Sequence, residues 1–166
     1  MLRIRLSVLI LLTLVSLKSA QAGEVGGKAA NCGLTAINDT TRHDLKQYLG
    51  KVVYVDFWAS WCVPCAKSFV FMNKLDHDLK ERGLQVIAVN LDEVPEEAKA
   101  FLTTHPANFT VTVDEQGKCA KDFQVEAMPS SYLIDRHGII RHVHLGYRED
   151  DAKELRVQVE QFLADK

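Results

Sequence analysis

The 166-residue chain has little to suit it to a polyanion or to a membrane. It contains no run of basic residues, and its formal charge is −2. Nucleic acids and anionic lipid surfaces are bound through concentrated positive charge, so this balance argues against both. No internal repeat, low-complexity tract or second domain is visible in it. The one long apolar run, residues 6–17, is short of the roughly 20 residues that a membrane span needs. No cysteine follows that run closely. Ala30-Asn31-Cys32 is a poor match to a lipoprotein signal and lies too far along the chain. Cysteine itself is scarce, with four in all.

What is present begins with a leader. Residues 1–5 carry two arginines, residues 6–17 are almost wholly apolar, and Ala20-Gln21-Ala22 is a small-x-small cleavage site. This pattern predicts a secretory signal peptide over 1–22, removed before folding, and a single domain over 23–166. An uncleaved anchor is the weaker alternative, because the apolar run is short. The 144 residues that remain can bury a real core. The leader holds Arg3, Arg5 and Lys18 and no acid, so its loss takes the formal charge to −5. Cys32, Cys62, Cys65 and Cys119 all remain, and an even count in an exported protein permits two disulfides.

Apolar periodicity and punctuation divide the domain into elements. Residues 23–30 are Gly/Ala-rich and read as a mobile lead-in. Strands are predicted over 34–37, 52–58, 84–91, 109–113, 131–134 and 139–144. Helices are predicted over 42–49, 62–82, 93–104, 117–123 and 150–164. Asp135-Arg136-His137-Gly138 between the last two strands reads as a hairpin turn. Strand–helix–strand followed by a hairpin and a closing helix is a three-layer α/β pattern, its parallel half first and its antiparallel half last.

The chemistry concentrates where the 52–58 strand hands over to the long helix, at Trp61-Cys62-Val63-Pro64-Cys65. A helix N-terminus favours a thiolate, so a dithiol there suits redox chemistry. Cys62 is the expected attacking thiol. Cys65, one turn in, is expected to resolve the mixed disulfide. Pro64 fits the first helical turn, where its missing N–H matters least. A zinc site or a structural disulfide would be the alternatives, but a zinc site needs two more ligands at suitable spacing. Asp56 is a carboxyl in an otherwise apolar strand, which is costly without a task or a partner. Strand alternation would set it beneath the dithiol; a strand-end carboxylate turned to solvent is the plain alternative.

At Asp56-Phe57-Trp58-Ala59-Ser60-Trp61-Cys62-Val63-Pro64-Cys65 and Met128-Pro129-Ser130-Ser131-Tyr132-Leu133-Ile134-Asp135, the chain resembles the thioredoxin superfamily. The export signal and the extra segment between Pro95 and Lys121 are similar to its TlpA/ResA-type branch of extracytoplasmic thiol–disulfide oxidoreductases. The resemblance covers roughly residues 34–163. It implies a thioredoxin fold: a mixed central sheet flanked by helices, with an N-terminal strand and a central insertion. It also implies that Pro129 forms a cis peptide facing the dithiol, leaving the Met128 backbone to pair with an extended substrate. By the same resemblance Asp56 would relay the proton of Cys65. Two departures stand out. Ala88 occupies the place of a lysine usual in thioredoxins, and Met128 that of a threonine.

The expected activity is reduction of protein disulfides by an exported enzyme, with no cofactor beyond the Cys62–Cys65 pair. The resemblance implies a periplasmic or otherwise extracytoplasmic location and a membrane thiol donor of the DsbD/CcdA type. It implies clients such as apo-cytochrome c or copper-site cysteines. A monomer is expected. A disulfide-forming oxidase of the same fold, or a copper chaperone using Cys62, Cys65 and a histidine, are the competing readings. A peroxidase is disfavoured, since Ala59 stands where a Thr-x-x-Cys needs its threonine. Trp61 is expected to form an apolar rim beside Cys62, with Val63, Pro64 and Met128 completing the substrate contact, while Trp58 reads as core. Cys32 and Cys119 form a bridge or remain two unpaired cysteines. His142 and His144 share a strand face near His137, but no third ligand is forced close, so no metal site is expected.

Overall fold

The computed structural model describes residues 23–165; the predicted signal peptide lies outside them. The chain forms β1 (Gly33–Ala36), β2 (Arg42–Asp44), a 3-10 turn (Leu45–Tyr48), β3 (Val52–Trp58), α1 (Val63–Leu79) and a second 3-10 turn (Lys80–Arg82). It continues with β4 (Leu84–Asn90), α2 (Pro95–Thr104), β5 (Thr110–Val113), α3 (Lys118–Asp122), β6 (Ser130–Ile134), β7 (Ile140–Leu145) and α4 (Asp151–Ala164). The strands make one seven-stranded sheet in the order β2-β1-β5-β4-β3-β6-β7.

β3 sits inside the sheet and is buried throughout, as its β-branched and aromatic run dictates. It runs parallel to β4, and β4 to β5; β6 pairs with β3 antiparallel and β7 with β6. The two faces of β3 feed two cores. Val52, Tyr54 and Trp58 pack with Phe69, Met72 and Leu75 of α1, Ala98 of α2 and Leu155 and Val159 of α4. Val53, Val55 and Phe57 pack with Cys119, Phe123 and Tyr132 on the other side. Asp56, two residues from Tyr54 and from Trp58, therefore points toward the α1 face.

One expected helix is absent. Residues 42–49 divide into β2, which pairs with β1, and the short 3-10 turn, whose Lys46 amide is capped by the Asp44 carboxylate at 3.0 Å. The alternation of Arg42, His43 and Asp44 matches β1, whose outer backbone groups need a partner. The 3-10 turn after it is too short to hold an α-helix by itself.

Candidate active site

Cys62 is the N-cap residue of α1, in an extended backbone conformation, and Pro64 lies in the first helical turn. No side chain caps this end. The helix therefore presents the positive end of its dipole to Cys62. The Cys62 amide donates to the Ala59 carbonyl at 3.1 Å, and the Cys65 amide to the Cys62 carbonyl at 3.0 Å. The two cysteines form a disulfide with Cα atoms 5.3 Å apart. Cys62 retains 5% exposure and Cys65 none, so Cys62 is the nearer of the two to solvent. Trp61 and Val63 flank Cys62 at 66% and 78% exposure. Trp58 is fully buried between Phe69 and Phe101, with ring centroids 4.8 Å from each.

Met128–Pro129 is a cis peptide. Pro129 immediately precedes β6, whose Ser130 lies opposite Phe57 near the C-terminal end of β3. Its carbonyl accepts the Gly146 amide at 2.8 Å. The proline turn is thus fixed at the end of the sheet from which α1 departs.

Asp56 has no solvent exposure, which sets aside the solvent-facing alternative. It lies between Ala88 on β4 and Ser131 on β6. The Ser131 hydroxyl donates to Asp56 Oδ1 at 2.6 Å, and the Ser68 hydroxyl lies 3.4 Å from Oδ2. Ser68 also donates to the Cys65 carbonyl at 3.0 Å, joining the acid to the first turn of α1. Burial pushes the Asp56 carboxyl up to about 7, against the opposing pull of the two serines. With Ala88 alongside, no cation on β4 pulls it back. The acid's partners are two neutral hydroxyls rather than a cation. Neither serine is singled out by sequence. Ser68 follows Cys65 by one helical turn, the sole local signal, and Ser131 reaches Asp56 through a register across 75 residues.

Cys32 and Cys119 are joined by a disulfide, tying the segment before β1 to α3. His142 and His144 stack with centroids 6.2 Å apart. Contrary to expectation a carboxylate stands close to them: Asp151 Oδ2 lies 3.2 Å from His144 Nε2. Among the described residues no cluster of three or more His, Cys, Asp or Glu side chains is arranged to hold a metal ion.

A thioredoxin-type frame with a Cys-x-x-Cys disulfide at a helix N-terminus, a buried acid behind it and a cis proline at the same end of the sheet defines a thiol–disulfide oxidoreductase. The match to the Redoxin family model over residues 24–158 shows that the chain belongs to that family. It is 32% identical over 140 residues to the thiol–disulfide oxidoreductase ResA of Bacillus thuringiensis subsp. konkukian (strain 97-27), covering 84% of this chain and 77% of that one. It is 30% identical over 122 residues to ResA of Geobacillus kaustophilus (strain HTA426), covering 74% and 70%. Its fold matches the crystal structure of a Chlorobium tepidum chain designated thiol:disulfide interchange protein DsbE, with a TM-score of 0.81 and 41% identity over 85% of this chain and 99% of that one. These similarities place it in the TlpA/ResA-type branch of the thioredoxin superfamily. Membership of this class implies disulfide-bearing client proteins.

Proposed function

We propose that the protein is an exported reductase of client disulfides, with Cys62 as nucleophile, Cys65 as resolving thiol and Asp56 as the proton acceptor for Cys65. The observation that carries this reading is the pairing of an uncapped helix N-terminus at Cys62 with a buried acid, held near neutral, behind Cys65. The Cys62 thiolate attacks one client sulfur. A Cys62–client disulfide forms, the client S–S bond breaks, and the second client sulfur leaves as a thiolate that takes a proton from water. Cys65 then gives its proton to the Asp56 carboxylate, and its thiolate attacks the Cys62 sulfur. The Cys62–Cys65 disulfide forms as the Cys62–client bond breaks; the released client thiolate takes a proton from water, and the client departs with both sulfurs reduced. The Met128–Pro129 turn would hold the client backbone, with Trp61 and Val63 as the apolar rim.

A reductase in an oxidising compartment must be recharged, so a membrane thiol donor of the DsbD/CcdA type completes the cycle. Cytochrome c or copper-site cysteines are the clients this reading favours, with a monomer acting outside the cytoplasm. No helix among the described residues is long and apolar enough to cross a membrane. Insulin reduction tests the assignment. Cys62→Ser should abolish turnover, and Cys65→Ser should accumulate mixed disulfides with client. Unimpaired turnover by Cys65→Ser would refute the two roles.

A further inference from the structure

Asp92 lies just beyond β4 and is buried. Its carboxylate receives bonds from two directions. The Ser60 amide donates to both oxygens, at 3.1 and 3.0 Å, and the Ser60 hydroxyl donates to Oδ1 at 3.1 Å. From its own strand end, Asn90 Nδ2 donates to Oδ2 at 2.8 Å, while the Asp92 amide donates back to Asn90 Oδ1 at 3.1 Å. Next to it, the Leu91 amide donates to the Trp58 carbonyl at 2.9 Å. All the carboxylate's partners are neutral dipoles. Among the described residues no ion pair involves Asp92.

Ser60 is two residues from Cys62, inside the turn whose closing bond runs from the Cys62 amide to Ala59. We propose that Asp92 is a positioning residue for the attacking thiol: its carboxylate fastens the 59–62 turn to the end of β4, and its uncompensated charge disfavours the Cys62 thiolate and keeps the Cys62–Cys65 couple reducing. The inference rests on Cys62 being the attacking thiol. It adds a determinant of redox poise that lies outside the Cys-x-x-Cys motif.

Other charges surround the turn, but they differ in kind. Asp56 on β3 is buried behind Cys65. Lys67 on α1 is exposed and paired with Glu149 at 3.2 Å. Glu93, Glu96 and Glu97 around the start of α2 are exposed, as are Glu126 ahead of Pro129 and Arg148 after β7. Solvent and salt screen these exposed groups. Asp92 is screened less than these, because it is buried and bonded to the turn itself. A carboxylate whose charge is met only by dipoles raises the pKa of a nearby thiol, and a raised thiol pKa destabilises the reduced form.

The test is the titration of Cys62 in the reduced protein, followed by its alkylation rate against pH, together with its equilibrium with glutathione at pH 7. In Asp92→Asn the titration should move to lower pH, and the equilibrium constant for reducing the protein should rise about three- to tenfold. Hydrogen exchange at the residue-60 amide should quicken at the same time. Asp92→Ser, which keeps an acceptor without charge, should give the same shift by a second route if Asp92→Asn fails to fold. Asp92→Glu, which keeps the charge, should return the titration toward that of the unaltered protein. Ser60→Ala should leave the titration in place, because it removes one donor and no charge. A Cys62 titration and glutathione equilibrium unchanged in the charge-removing variants would overturn the proposal. Failure of the underlying role would show elsewhere, as insulin reduction surviving Cys62→Ser.

Discussion

At the scale of single residues, Asp56 carries the most physical information. Its carboxyl is pushed up to about 7 by burial, with Ser131 and Ser68 pulling the other way. Below about pH 4 the acid is neutral in both folded and unfolded chains and contributes nothing to pH dependence. As pH rises from there to about 7, the unfolded chain ionises and the folded one resists, so stability falls. Above 7 both are ionised and the loss, on the order of 4 kcal/mol, is level. Asp56→Asn should therefore gain stability over the unaltered protein as pH climbs from 4 to 7 and hold that gain above it, measured by chemical denaturation of the oxidised protein. An advantage flat with pH would contradict the burial argument. The same variant should slow resolution of the mixed disulfide at pH 7 by roughly tenfold or more, since it removes the proposed proton acceptor. Asp56 is legible in sequence because one carboxyl among Val52, Val53, Tyr54, Val55 and Phe57 has no ordinary excuse. Ser131 and Ser68 are not, because a serine hydroxyl announces nothing until register brings it to an acid.

At the scale of elements, the N-terminal segment and α3 have one partner each that no local pattern specifies. The Cys32–Cys119 bridge closes a sequence separation of 87 residues, and both sulfurs lie in the core on the face away from α1. Constraint of the unfolded chain over a loop of that length contributes about 4–5 kcal/mol in the chain-entropy model. Replacing both cysteines by alanine should lower the stability of the oxidised protein by about 2–5 kcal/mol. Insulin reduction at 25 °C should persist, because the reacting pair belongs to α1 and the opposite core. Loss of turnover in a variant that remains folded would give the second bridge a redox role. Sequence alone leaves this pairing open, since two isolated cysteines reveal no distance. The 42–49 segment shows a related limit. Its polar, apolar and charged residues fit a short helix as well as a strand plus a 3-10 turn, and pairing with β1 decides between them. The long elements suffer no such ambiguity. β3 is continuous apolar residues, and α1 keeps Phe69, Met72, Leu75 and Leu79 on one buried face.

At the scale of the whole molecule, the three-layer α/β arrangement is legible because strands and helices alternate first and a hairpin comes last. The strand order is not, because placing β1 and β2 beyond β5 depends on long-range pairing. The sheet brings the Cys62 turn, the Asp92 loop and the Met128–Pro129 peptide together, since β3 and β4 end there and β6 begins there. Apart from the helix N-terminus and the solvent-exposed Lys67 and Arg148, the influences on Cys62 are neutral or negative. Val63 and Pro64 supply no cation within the motif, Asp56 lies behind it, and Asp92 is tied to its turn. A thiolate so weakly supported would leave the dithiol prone to give up its electrons, which is the physical basis of the proposed reductase. The reduction potential of the Cys62–Cys65 couple, obtained by equilibration with glutathione at pH 7, tests this most directly. The account predicts a value toward the thioredoxin end of the range, on the order of −250 mV, with Cys62 titrating at roughly 7. A potential near −120 mV with Cys62 titrating below about 5 would contradict it and mark the protein as an oxidase.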